Sequence, residues 1–176
     1  MNAPMNQMLR VAQLLRVLQK VEGRKKLHKE VHILQELGYP FTERFLYSYY
    51  GMYSQELRSE VDSLARDNLI REEPSLNAAN EYTYTIKSTP ELDHFLDELK
   101  VKKEPVWAPL ARQLNVLSAQ ILEGISTILF LRRRGLAGEE LKRRFHALKP
   151  HLASIYTKCE AKAKNLKEPK LDLVPA

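Results

Sequence analysis

His28 and His32 stand four residues apart, a spacing that puts two imidazoles on one face of a helix where they could share a ligand. A metal ion held there would need a third donor from elsewhere, and no HExxH or CxxC pattern accompanies the pair. The plainer reading is that both histidines flank the apolar stripe of their helix, partly exposed. The other groups of catalysis do not assemble. No nucleophile is spaced against a base, no phosphate-cradling loop precedes a helix, and His94, His146 and His151 are isolated. The expectation is a non-enzymatic protein with no cofactor and no metal. Cys159, the single cysteine, rules out an internal disulfide, fits a reducing cytoplasm, and lies on the apolar stripe of its helix as a small buried group.

Recognition chemistry is richer. The segment Phe45 to Ile70, FLYSYYGMYSQELRSEVDSLARDNLI, reads as strand, glycine turn, short helix, strand. Ser54 is suited to cap a helix over about 54 to 67, with Glu56 in its first turn where the helix dipole favours an acid. Leu57, Val61 and Leu64 then face a core, leaving Gln55, Arg58, Ser59, Asp62 and Arg66 outward. In a winged helix these outward residues would meet the bases and phosphates of double-stranded DNA, and Gln55, Arg58 and Ser59 are chemically suited to base edges. Against that, Glu56, Glu60, Asp62 and Asp67 outnumber Arg58 and Arg66, so the helix carries a formal charge of −2. At about 4 Å each unscreened like pair costs ~1 kcal/mol even in water.

The net charge of +6 is unevenly spread: +4 over residues 1 to 37, −6 over 38 to 100, and +8 over 101 to 176. Positive charge gathers in three runs. These are Arg24, Lys25, Lys26 and Lys29; Arg132, Arg133 and Arg134; and Lys142, Arg143 and Arg144. If they converge they form a phosphate-binding face; otherwise they are solvated surface, or partners for the acidic middle of a second copy in a homodimer. Tyr47, Tyr49, Tyr50, Met52 and Tyr53 crowd the glycine turn, and such side chains are common anchors at protein interfaces.

The elements that must position these groups follow from periodicity. A helix over 5 to 21 carries Met8, Val11, Leu14, Leu15, Leu18 and Val21, and Gly23 ends it. A second covers about 24 to 37, with Gly38 as its stop. A strand is expected over 44 to 50, and a hairpin from about 69 to 86, its loop marked by Pro74, Asn77 and Asn80. Thr89, Pro90 and Glu91 open a helix to about 99. After a polar hinge, Val106 to Phe130 reads as one long buried helix, followed by helices at about 138 to 148 and beyond Pro150. No apolar run approaches the ~18 residues of a membrane span, and the N-terminus lacks the pattern of a secretory signal.

The stretches GRKKLHKEVHILQELGYPF at 23 to 41, YYGMYSQEL at 49 to 57 and ILEGISTILFL at 121 to 131 resemble the bacterial YwgA-like family. That family is similar in turn to Panacea-type antitoxin domains, which share an aromatic-Gly-Pro-aromatic-Ser turn; here Met52 stands where the proline is usual. The resemblance implies a winged-helix-like fold with a helical C-terminal part and supplies no catalytic residue. Together these readings predict an α+β, mainly α protein: a winged-helix-like module over 1 to 99, a helical extension packed on it over 104 to 167, and a frayed tail over 168 to 176. The expected function is that of a cytoplasmic DNA-binding transcriptional regulator. The competing expectation is an antitoxin-like or adaptor module contacting a protein partner through Tyr49, Tyr50, Met52 and Tyr53.

Overall fold

A computed structural model describes residues 3–76 and 80–166; the predicted frayed tail and Asn77 lie outside the described residues. The fold is α+β and mainly α. Helix α1 (Ala3–Leu18) stops three residues short of its predicted end, because Gln19 takes a left-handed φ of 61° and turns the chain into strand β1 (Lys20–Glu22). Val21 stays buried, but as a strand residue opposite Ile86 rather than as the last residue of the helical stripe. A three-residue strand shows too little alternation to declare itself. Helix α2 (Arg24–Glu36) follows with Leu27, Val31 and Leu34 fully buried.

The predicted strand over 44 to 50 is instead half of a hairpin, β2 (Leu46–Ser48) against β3 (Gly51–Tyr53), reversing at Tyr49 and Tyr50. Gly51 enters β3 with φ 84°, a value that side chains resist. Helix α3 (Gln55–Arg66) begins where expected, the Ser54 hydroxyl accepting from the Leu57 amide at 3.2 Å. Its apolar residues Leu57, Val61 and Leu64 are all buried. Strands β4 (Ile70–Leu76) and β5 (Tyr82–Ser88) pair antiparallel from Ile70↔Ser88 to Leu76↔Tyr82. Pro74, expected in the loop, therefore lies inside β4 opposite Tyr84. The sheet order is β1-β5-β4. Helix α4 (Pro90–Glu98) is capped by Thr89, whose hydroxyl accepts from the Leu92 amide.

The long helix predicted from Val106 is two helices, α5 (Ala108–Asn115) and α6 (Ala119–Arg133), separated at 116–118. Ser118 explains the break: it adopts an extended backbone and its hydroxyl caps the Ile121 amide. Periodicity alone missed this, since the apolar spacing resumes almost in phase. Helix α7 (Gly138–Leu148), a 3₁₀ turn (Pro150–Ile155) and helix α8 (Tyr156–Asn165) complete the chain as described. Helix α6 packs against α2, α7 and α8, so one continuous apolar core runs from Leu14 and Leu34 through Trp107 to Phe145, Tyr156 and Cys159. Each fully buried side chain of this size contributes roughly 1.5–3 kcal/mol. Cys159 is buried as expected. Among the described residues no helix is long and apolar enough to cross a membrane.

Candidate functional site

The histidine pair does not share a ligand. Both rings are buried rather than partly exposed, and each is spent separately. His28 Nδ1 accepts the Ser54 amide at 3.1 Å, tying α2 to the start of α3, while its ring stacks on Tyr53 with centroids 4.8 Å apart. Burial, with Lys29 and Arg24 nearby, pushes its pKa down to about 4, so it is a neutral structural group. His32 Nδ1 meets Ser126 Oγ at 2.8 Å across the α2–α6 contact, and its other nitrogen lies 3.5 Å from Glu36. Among the described residues, no three His, Cys, Asp or Glu side chains are placed to hold a metal ion.

Helix α3 is more hospitable to a polyanion than its formal charge suggests. Glu56 accepts from the Arg44 guanidinium at 2.6 Å and from the Arg44 backbone amide at 2.8 Å. Asp62 receives Arg24 Nη1 at 2.6 Å. Glu60 is pushed up to about 8 by burial and by the neighbouring Glu43 and Glu56, so it holds its proton at neutral pH. Three of the four acids counted against this helix are thus neutralised within the fold. Gln55, Arg58, Ser59 and Arg66 remain on its exposed side, Arg58 with only a loose 4.0 Å contact to Asp62. On the adjoining β4–β5 hairpin Glu72 shares this same Arg24, accepting from its Nε and Nη2 at 2.7 Å, so one guanidinium serves two carboxylates, and Glu73 takes Lys87 at 2.5 Å.

The basic runs divide. Arg24 is consumed by Asp62 and Glu72, which raise its pKa further. Lys26 is buried and donates to the Asn115 carbonyl at 2.5 Å, so it offers nothing to a phosphate on the surface. Lys29 is also buried, its ammonium donating to the carbonyls of Tyr50 and Met52, both at 2.8 Å. Arg133 pairs with Glu36 at 3.1 Å, Arg134 lies over the Phe130 ring, and Arg132 is half-buried. Lys25 alone of the first run is exposed, its ammonium 4.2 Å from the centre of the Tyr50 ring.

Residues of all three runs nevertheless line two neighbouring clefts. A cleft of about 540 Å³ is lined by Lys25, Lys29, Tyr47, Tyr49, Tyr50 and Lys149 among others. A second of about 460 Å³ shares Tyr47 and Leu148 with it and is edged by Arg134 and Arg144. Lys149, Glu123 and His151 in the larger cleft carry no local sequence signal. Lys149 is an isolated lysine before a proline, and only the fold buries it to 2% exposure against Glu123, 2.5 Å away. Of the turn residues, Tyr49 and Tyr50 are exposed, Tyr53 is half-buried with its hydroxyl donating to Gln55, and Met52 is buried. Met52 is therefore not an interface anchor. As the neighbour of Gly51 at the start of β3 it points inward and pairs with Tyr47.

The uncharacterized protein YwgA of Bacillus subtilis (strain 168) is 30% identical to this chain over 131 residues, covering 74% of this chain and 76% of that protein. No family model matches. No solved structure matches.

Proposed function

The chain belongs to the YwgA family, and from its geometry we propose a non-enzymatic, winged-helix-type protein that binds double-stranded DNA through α3. The order α1, β1, α2, α3 and the β4–β5 hairpin, with the short β2–β3 hairpin inserted between α2 and α3 and the main sheet arranged β1-β5-β4, supports reading α3 as the helix presented to a major groove and β4–β5 as the wing. The observation that carries the proposal is the internal neutralisation of Glu56, Glu60 and Asp62. It leaves Arg58 and Arg66 as cations on an exposed face that also offers Gln55 and Ser59 to base edges.

Fluorescence anisotropy with a random duplex across a salt series tests this. Affinity should fall linearly on a log–log plot, by about 0.9 in slope for each phosphate contacted, and Arg66→Ala should reduce that slope by about one. A flat response at low salt, or an Arg58→Ala/Arg66→Ala variant that binds as tightly as the parent, would sink the proposal.

A protein-binding role is the second reading, favoured by the far end of the wing. Leu76, Tyr82 and Tyr84 are exposed there, at 58%, 91% and 58%, and the pairings Leu76↔Tyr82 and Pro74↔Tyr84 put them on one face. Sedimentation of the parent and of Tyr82→Ser/Tyr84→Ser across a concentration series tests whether a second copy covers this face.

A further inference from the structure

We propose that the cleft between the β2–β3 turn, the start of α6 and the chain at 148–151 binds a phosphomonoester that also bears a planar ring, of the nucleoside monophosphate class. The cleft shares none of its lining with the outward face of α3, so this stands apart from the duplex-binding proposal. Its volume of about 540 Å³ falls in the usual range of ~300–1,000 Å³ for small-molecule sites.

Charge is the first argument. Lys25, Lys29 and Lys149 converge on this cleft, and among its described lining residues Glu123 is the single carboxylate. Two positive charges are left over, matching a phosphate dianion better than a monocarboxylate. Two of the three lysines are buried, and burying an ammonium without a counter-charge is costly. The lysine ammoniums also have donors to spare. Each carries three N–H groups; Lys29 uses two on the carbonyls of Tyr50 and Met52, and Lys149 uses one on Glu123.

Geometry is the second. A Cβ built on Gly51 would lie 3.2 Å from Lys149 Nζ and 3.3 Å from Lys29 Nζ, so the missing side chain keeps open a space that both ammoniums border. The first residue of α6, Ala119, lines the same cleft and brings the positive end of a 15-residue helix to it. The rim supplies the ring contact. Tyr49 is 91% exposed and meets Tyr50 edge-to-face at 5.1 Å, and the Lys25 ammonium sits over Tyr50. Burial and the charges of Lys149 and Lys25 hold Lys29 down to about 8, against the pull of Glu123, as expected of a site with unbalanced positive charge.

Calorimetry on the full chain with adenosine monophosphate, adenosine and inorganic phosphate tests the assignment. The monophosphate should bind at least about tenfold more tightly than adenosine, and also more tightly than phosphate. Lys25→Ser, an exposed change that spares the core, should weaken the monophosphate by about tenfold. Glu123→Gln should tighten it, and Tyr49→Ser should weaken it while leaving phosphate unchanged. Adenosine binding as well as its monophosphate, no monophosphate binding at millimolar concentration, phosphate binding as well as the nucleotide, or indifference to both Lys25→Ser and Glu123→Gln would each overturn the proposal. Circular dichroism of the variants separates loss of the site from loss of the fold.

Discussion

Replacing Glu30 by glutamine should leave stability nearly unchanged at pH 5 and raise it substantially at pH 8. Glu30 sits on α2 at 0% exposure, and neither carboxylate oxygen has a hydrogen-bond partner. Burial pushes its pKa from 4.5 up to about 8, opposed by the charge of Lys26 one turn away. In the unfolded chain the proton leaves near 4.5; in the folded chain it stays until about 8, so the folded state holds the extra proton in between. The stability this confers is fully present below the unfolded pKa and is lost as pH rises through the folded one. At ~1.36 kcal/mol per unit, the loss is on the order of 3–5 kcal/mol, a large part of a typical total of ~5–15 kcal/mol. Glutamine resembles the protonated acid in size and polarity but never ionises. Urea denaturation of both proteins at pH 5, 6.5 and 8 gives the difference curve. Glu43, Glu60 and His28 also titrate abnormally, but they are common to both proteins and cancel in it. A difference that stays constant from pH 5 to 8, or that favours glutamate at high pH, would refute the reasoning.

Other perturbations follow from single contacts. Gly124→Ala would put a methyl 2.4 Å from Cys159 Sγ, an overpacking that should cost about 1–3 kcal/mol by thermal unfolding and be partly relieved by adding Cys159→Ala. Ser126→Ala removes the partner of His32 Nδ1 in the α2–α6 contact and should cost about 1–3 kcal/mol in denaturant unfolding. Arg24→Gln should weaken duplex binding in the anisotropy assay although Arg24 is half-buried and spent on ion pairs, because Asp62 and Glu72 would regain uncompensated charge beside α3. An unchanged salt-dependent affinity would show that this neutralisation is irrelevant.

The elements around α3 were legible because their signals are local. Ser54 before Leu57, Val61 and Leu64, and Thr89 before Pro90, encode caps whose hydrogen bonds form as their positions suggest. β1 and the α5–α6 break were not, because Val21 and the residues after Leu114 keep the apolar rhythm of a helix while the backbone departs from it. The candidate site was legible only in residue type. Counting charge along the chain treats Glu60 as an anion and Lys26 and Lys29 as surface cations, whereas burial protonates the first and hides the other two. Partners 38 to 48 residues apart, such as Arg24 with Asp62 and Glu72, are supplied by tertiary packing and leave no trace in spacing.

The two proposed sites meet at the β2–β3 hairpin, and this joins them mechanically. Lys29 holds the hairpin by the carbonyls of Tyr50 and Met52, and the next residues are Tyr53, stacked on His28, and Ser54, which caps α3 and donates its amide to that same histidine. An anion beside Lys29 would take its third N–H and favour its charged form, so it acts on the same ammonium that holds the hairpin before α3. Duplex affinity measured with and without saturating adenosine monophosphate should therefore differ in the parent. It should become equal in a Lys25→Ser variant at a nucleotide concentration too low to fill the weakened site. Equal affinities in the parent, with nucleotide bound by calorimetry and duplex bound by anisotropy, would show that the hairpin transmits nothing between them.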